Sequence, residues 1–279
     1  MIELGRNNIL KIAREVDFGL YLSDGGEDIL LPIKYVPEGC KIGDEIDVFV
    51  YKDSEDRPIA TTLEPLAKLD EFACLEVVDV NSSGAFLDWG LEKDLFVPIK
   101  EQQAKMKEGG SYVVKVCFDY RTERLIGVGK IDALFNKDHS ALEEGQEVDL
   151  LIYAETDLGY NAVIDDQYTG LIYHNDVFVP LSVGNKTSGF VKCLRTDGKI
   201  DITVRPVGLD AIEVAKRSIL VNLRFAKDGV LELHDKSDAD EIKLKLGLSK
   251  KIFKKAIGGL YKEGKLSLEE NCIKLIPQN

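Results

Sequence analysis

Two kinds of residue in this chain have types and spacings that bear chemistry: aromatic rings beside a strand glycine, and lysines at helical spacing. In "VDFGLYLSDGGEDILLPIK" (16–34), Phe18 and Tyr21 flank Gly19; in "NSSGAFLDWGLEKDLFVPIK" (81–100), Gly84 precedes Phe86 and the sole tryptophan, Trp89. Rings exposed on strands can stack flat groups such as nucleobases, worth about 1–3 kcal/mol per base without sequence preference. In "LSKKIFKKAIGGLYKEG" (248–264), Ile252, Phe253, Ala256, Ile257, Leu260 and Tyr261 take about half of a helix circumference. Lys251, Lys254, Lys255 and Lys262, with Lys250 beside them, fall on the other side as a candidate phosphate-binding face. Gly258 and Gly259 weaken this helix by about 1 kcal/mol each relative to alanine, but allow a backbone to come close.

The remaining reactive groups point away from catalysis. Asp165-Asp166 has the oxygen chemistry of a magnesium site, yet "IDDQYTG" reads as a hairpin turn in which aspartate serves the backbone. Three separate histidines and five scattered cysteines without a CxxC pair support neither a zinc site nor a disulfide framework. Cys74 and Cys117 sit in apolar runs as small hydrophobes. No Ser/His/Asp or Cys/His constellation, P-loop or GxGxxG is present. The expectation is a protein that is not an enzyme, with no metal and no cofactor.

These residues must be positioned by repeats. The segments around Gly19 and Gly84 have a third relative, "TDLGYNAVIDDQYTGLIYHND" (156–176), built around Gly159. Each glycine is followed by alternating apolar residues, a polar turn and a short apolar strand. Each copy then reaches a β-branched run: "GDEIDVFVYKD", "GGSYVVKVCFD" and "GNKTSGFVKCLRTDGKIDITV". About five such runs in fewer than 75 residues suit a small five-stranded β-barrel, and the repeated glycine suits a bend or bulge.

After about residue 207 the period changes. A helix is expected over "GLDAIEVAKRSILVNLRF" with Asp210 as N-cap, then a short strand in "DGVLEL". A second helix follows, with a capping box of Ser237 and Asp240 and a stop at Gly247; the lysine-bearing helix runs from Ser249 to Gly264. A hairpin turning at Glu269-Glu270-Asn271 ends the chain, giving the order of a winged helix-turn-helix. The fold class is therefore multidomain: three tandem β-barrels over 1–66, 67–137 and 138–207, then an α+β winged-helix domain over 208–279.

The barrel copies resemble S1-type RNA-binding domains of the OB fold, whose pattern runs F-G-A-F-V, G-L-V-H, then V-K-V with a later Asp and Arg. The resemblance implies RNA contacts at Phe18, Tyr21, Lys34 and Arg57 in the first copy, with Asp53 matching the pattern's acid. In the second copy it implies Phe86, Lys115 and Arg124, with Ser83 in place of the first aromatic and Val97 in place of the histidine. In the third it implies Tyr173, His174, Lys192, Arg195 and Lys199, with Leu158 and Asn161 in place of both aromatics. Trp89 falls outside the pattern and reads as a packing residue of a loop or rim. Three barrels and a winged helix in this order, with "FVPIK", "GLIYH" and "RTDGKIDITVRP", resemble the conserved virulence factor B family of low-GC Gram-positive bacteria. That resemblance implies RNA binding and an influence on virulence-factor expression.

Charge refines the expectation. The chain of 279 residues has a net charge of −13, which opposes simple phosphate attraction. Residues 208–279, however, carry 14 Lys and Arg against 11 Asp and Glu, a net of +3, leaving −16 for residues 1–207. The lysine helix offers no Arg, Asn or Gln for reading bases in a major groove, and the wing tip Glu269-Glu270 repels phosphate. Single-stranded RNA is thus the expected partner, with DNA less favoured and an acidic scaffold for ribosomal or other proteins the alternative. No apolar run reaches the roughly 20 residues of a membrane span, and the start lacks an export signal, so a cytoplasmic protein with no membrane partner is expected.

Overall fold

The computed structural model describes residues 2–177, 180–204, 211–226 and 229–276. They form three five-stranded β-barrels and a winged helix-turn-helix. The first barrel comprises β1 (Asn7–Val16), β2 (Gly19–Ser23), β3 (Asp28–Pro32), β4 (Glu45–Lys52) and β5 (Pro58–Thr61), closed in the order β1-β2-β3-β5-β4. Closure comes from a parallel β3–β5 pairing, Leu30 opposite Ile59, and an antiparallel β1–β4 pairing, Leu10 opposite Ile46.

The second barrel repeats this path with β6 (Phe72–Val80), β7 (Gly84–Asp88), β8 (Leu95–Pro98), β9 (Ser111–Asp119) and β10 (Arg124–Val128). Its β10 lies against β8, where a Cβ on Gly127 would come within 2.6 Å of Val97 Cγ2. The third is closed by β11 (Glu147–Glu155), β12 (Gly159–Ile164), β13 (Tyr168–Tyr173), β14 (Lys186–Leu194) and β15 (Ile200–Thr203).

The repeated glycines have a steric origin. A Cβ would lie 2.2 Å from the Leu31 carbonyl oxygen at Gly19, 2.3 Å from that of Val97 at Gly84 and 2.0 Å from that of Ile172 at Gly159. The preceding residue then accepts a backbone bond from the start of a single 3-10 turn: Ile33 to Phe18, Ile99 to Ser83 and His174 to Leu158, at 2.9, 3.1 and 3.2 Å. The glycines begin β2, β7 and β12 and are not themselves bulges; in the first two barrels the bulges lie in the paired strand, at Ile12/Arg14 and Val77/Asp79. This geometry also aligns Val97 with Ile172 rather than with Tyr173, one residue earlier than the sequence pattern placed it.

Contacts divide the chain into two compact units, 1–137 with 163–168, and 138–162 with 169–279. In the first unit, both barrels contribute to one core. Val48 and Val50 fill the first barrel, while Phe49 and Tyr51, on the opposite face of β4, pack with Trp89, Leu75 and Leu87. Trp89 is 3% exposed and meets Phe49 and Tyr51 edge-on, with centroids 5.9 and 6.5 Å away; its Nε1 donates to the Lys93 carbonyl at 2.6 Å. The packing expectation holds, but the ring occupies a core rather than a rim. Burial pushes the Tyr51 phenol up to about 12.

Asp165 and Asp166 have φ of 47° and 55°, the left-handed pair of a tight β12–β13 hairpin. Asp166 Oδ1 also accepts the Phe72 N–H at 2.8 Å. All five cysteines are free, and burial raises the thiol pKa of the half-buried Cys74 and Cys117.

The second unit contains most of the third barrel, with Leu150, Ile152, Ile172, Val191 and Ile202 buried in it, and the winged helix. Its elements are α1 (Ala211–Phe225), β16 (Val230–Leu231), α2 (Ala239–Leu246), α3 (Lys250–Lys262), β17 (Leu266–Leu268) and β18 (Ile273–Leu275). Asp210 lies outside the described residues. The α2 cap is Asp238, whose carboxylate accepts the Asp240 N–H, and not Ser237. Ser237 is buried, and its hydroxyl accepts the His234 N–H at 3.0 Å. Gly247 closes α2 at φ 66°, and Ser249 caps α3.

Candidate nucleic-acid interface

On the first barrel, the glycine turn sets Phe18 outward, 56% exposed, edge-on to Tyr21 at 6.5 Å. Arg14, displaced by the β1 bulge, places its guanidinium carbon 3.7 Å from the Tyr21 ring centre. The two rings and the guanidinium form a compact patch, with Arg14 also paired to Asp28 at 3.5 Å; Arg14 was not singled out in the sequence. Arg57 is held by Asp53 through two bonds of 2.9 and 2.7 Å and by Glu55 at 2.9 Å. Lys34 is engaged by Glu92 of the second barrel, which raises its pKa.

On the second barrel, alternation in β8 buries Leu95 and Val97 and turns Phe96 out against Phe86, with centroids 5.1 Å apart. Phe96 lies outside the matched pattern, and only the in-out alternation of "LFVP" could have marked it. Phe86, Phe96, Lys93 and Arg124 line one cleft of about 320 Å³. Lys115 does not join them: its Nζ sits over the Phe72 ring at 4.9 Å. Arg124 is paired with Asp56 of the first barrel.

On the third barrel, Leu158 is 66% exposed where the first copy has Phe18. The pattern residues separate into small groups. The Arg195 guanidinium donates to the Tyr173 hydroxyl at 3.3 Å and pairs with Asp197 at 3.0 Å, and the Tyr173 hydroxyl reaches Asp201 at 3.4 Å. His174 Nε2 lies 3.0 Å from the Thr156 carbonyl oxygen, with its ring edge-on to Tyr160 at 5.2 Å. Lys192 pairs with Asp176 at 2.6 Å. Lys199, 3.9 Å from Asp197, joins Leu158, Asn161 and Leu171 around a cleft of about 540 Å³.

In the winged helix, Phe253, Ala256, Ile257 and Leu260 are buried by α3 against α1, α2 and the hairpin. Tyr261 departs from the expected apolar half: it is 57% exposed. By helical rotation it lies about 20° from Lys254. Lys251, Lys254, Lys255 and Lys262 are exposed, and among the described residues none of them forms an ion pair. Lys250 Nζ donates to the Lys236 carbonyl at 3.4 Å. The two glycines have different causes: a Cβ on Gly258 would meet open space, whereas one on Gly259 would lie 2.4 Å from Lys216 Cε. Lys216 crosses there to bond Glu213 at 2.5 Å and Glu263 at 2.6 Å. A side chain of α1, not a backbone, makes the close approach.

Residues 4–63 match the S1 domain family model, and residues 218–275 match the CvfB-like winged helix domain. Over most of its length the chain is similar to proteins named conserved virulence factor B. It is 24% identical to conserved virulence factor B of Staphylococcus epidermidis over 267 residues, covering 91% of this chain and 89% of that protein. The uncharacterized protein YitL of Bacillus subtilis is 29% identical over 272 residues, 95% of this chain and 91% of its own. A crystal structure of a multidomain protein with nucleic acid binding domains from Streptococcus pneumoniae aligns at 24% identity, with a TM-score of 0.46, over 98% of each chain. Among the described residues no helix is long and apolar enough to cross a membrane, and no group of three His, Cys, Asp or Glu is placed to hold a metal ion.

Proposed function

We propose that this chain is a non-catalytic regulator of gene expression that binds single-stranded RNA with little sequence preference through several weak sites. The observation that carries this reading is the contrast in cation pairing. Of the barrel cations, Lys34, Arg57, Arg124, Lys192 and Arg195 each have a carboxylate partner and Lys115 lies over the Phe72 ring, whereas the four α3 lysines are exposed and have no carboxylate partner among the described residues. Unpaired lysines attract phosphate without reading bases. Phe18 and Tyr21 offer stacking that is equally indifferent to sequence. Linked in one chain, modest sites add through effective concentration.

The test is binding of a labelled single-stranded oligonucleotide by the full chain across a salt series. Lys254→Glu with Lys255→Glu is expected to weaken binding at least tenfold and to flatten the slope of log K against log salt by about 1.4, at about 0.7 per single-strand phosphate. Unchanged affinity and slope would remove α3 from the interface. Preference for duplex DNA over the oligonucleotide would overturn the RNA reading, and loss of RNA integrity in the presence of magnesium would overturn the non-catalytic one.

A further inference from the structure

Two cations that line the cleft of the first unit, Lys93 and Arg124, are paired with one acid of the first barrel, Asp56. Phe86 and Phe96, tilted by 42°, form the apolar wall of the cleft, and Lys93 and Arg124 stand at its rim. Its volume of about 320 Å³ is at the small end of the roughly 300–1,000 Å³ of ligand pockets, suited to one nucleotide. Over this rim reaches the β4–β5 turn of the first barrel. There Asp56, at φ 63°, adopts the left-handed conformation sparsely occupied by residues other than glycine. Lys93 Nζ donates to the Asp53 carbonyl of the same turn at 2.5 Å.

Asp56 Oδ2 contacts Arg124, while Oδ1 is buried 3.5 Å from Lys93 Nζ with no hydrogen-bond partner. The carboxylate therefore bridges two cations that share the cleft with the two rings, one oxygen on Arg124 and the other at ion-pair distance from Lys93. The Oδ1 contact to Lys93 is an ion pair without a hydrogen bond, which a better-fitting anion can improve on. A phosphate has more acceptor oxygens and fits a guanidinium in the same bidentate way.

We propose that this junction is a single-nucleotide site for RNA, with the phosphate on Arg124 and Lys93 and the base against Phe86 and Phe96, and that Asp56 is its built-in competitor. The carboxylate occupies the phosphate position and yields when a strand enters, so the first two barrels hold RNA less tightly than their cations allow. This inference rests on the RNA reading above and adds to it a composite site shared by two barrels and a device that limits affinity.

The experiment compares full-length wild type, Asp56→Asn, Asp56→Asn with Arg124→Ala, and Glu38→Gln, using a fluorescein-labelled oligouridylate and anisotropy at several salt concentrations. Asparagine tolerates the left-handed turn, and Trp89 emission checks the fold. Asp56→Asn is expected to bind about three- to tenfold more tightly, with a salt slope steeper by about 0.7. The added Arg124→Ala should return affinity to the wild-type level or below. Glu38→Gln, which removes an exposed acid from the same barrel away from the cleft, should stay within about twofold of wild type. Equal or weaker binding by Asp56→Asn, or an equal gain from Glu38→Gln, overturns the competitor role while wild-type binding and its loss in the Lys254/Lys255 variant leave the RNA reading standing. No binding by wild type or Asp56→Asn overturns both.

Discussion

Replacing Trp89 by alanine tests whether this ring is core or platform. The indole is 3% exposed, edge-on to Phe49 and Tyr51, and donates to the Lys93 carbonyl at 2.6 Å. Removing a buried tryptophan leaves a cavity and costs about 3–5 kcal/mol; within that loss each edge-on ring pair accounts for roughly 0.5–1.5 kcal/mol. Trp89→Phe keeps much of the ring area but strands the carbonyl, a loss of about 1–3 kcal/mol. Stability is read by urea unfolding with far-UV circular dichroism. Hydrogen exchange then localises the loss, because amides of Phe49, Val50 and Leu87 should lose protection while those of Phe253 and Ala256 keep theirs. In the wild type, emission from the sole tryptophan should be blue-shifted and poorly quenched by acrylamide. A change below 1 kcal/mol in Trp89→Ala, or emission typical of a solvated indole, would refute this core.

Two further perturbations follow from the same geometry. Gly258→Ala should raise the stability of the winged helix by about 1 kcal/mol through helix propensity alone, whereas Gly259→Ala should give no net gain because its Cβ displaces Lys216 from Glu213 and Glu263; equal gains in thermal unfolding would contradict this account. The Tyr51 phenol, raised to about 12, keeps its proton in the folded state while an unfolded tyrosine loses it above pH 10. Stability is therefore intact below pH 10 and falls by about 1.4 kcal/mol per pH unit between 10 and 12. Tyr51→Phe should flatten that part of the urea-midpoint profile, and identical profiles would remove Tyr51 from the buried core.

The barrels were legible because their chief constraint is local and repeated. A glycine must stand where a neighbouring carbonyl passes within about the radius of a Cβ, so Gly19, Gly84 and Gly159 mark each copy in the sequence. The winged helix was legible through the 3.6-residue period of its buried side chains and the Ser249 and Gly247 ends. The α2 start was misplaced because Ser237 and Asp238 are both good caps. Only the fold shows that the Ser237 hydroxyl is already bonded to the His234 N–H. The shared core of the first two barrels was missed, although its trace is present: in "VFVY" four successive apolar residues break strand alternation, as expected of a strand buried on both faces. Tyr160 and Phe96 were missed since they match no pattern position, and pattern cations gave no hint of their partners. Lys34 meets Glu92 58 residues away, and Arg124 meets Asp56 68 residues away, pairings that only tertiary structure creates.

Those pairings also change what a net charge of −13 means for a polyanion. Exposed charges are screened over about 8 Å at physiological ionic strength, so binding depends on local charge rather than the total. Locally, the barrels spend their pattern cations on their own carboxylates, apart from Lys115, which lies over the Phe72 ring. In the winged helix the reverse holds: Glu263, the acid at the end of α3, is held by Lys216 at 2.6 Å and Lys265 at 2.7 Å, and these bonds depress its pKa. Its charge is neutralised by two lysines outside the exposed row, which leaves Lys251, Lys254, Lys255 and Lys262 to face solvent. An acidic chain can in this way present one row of lysines without carboxylate partners while the cations of its Phe86–Phe96 cleft, Lys93 and Arg124, stay paired with Asp56.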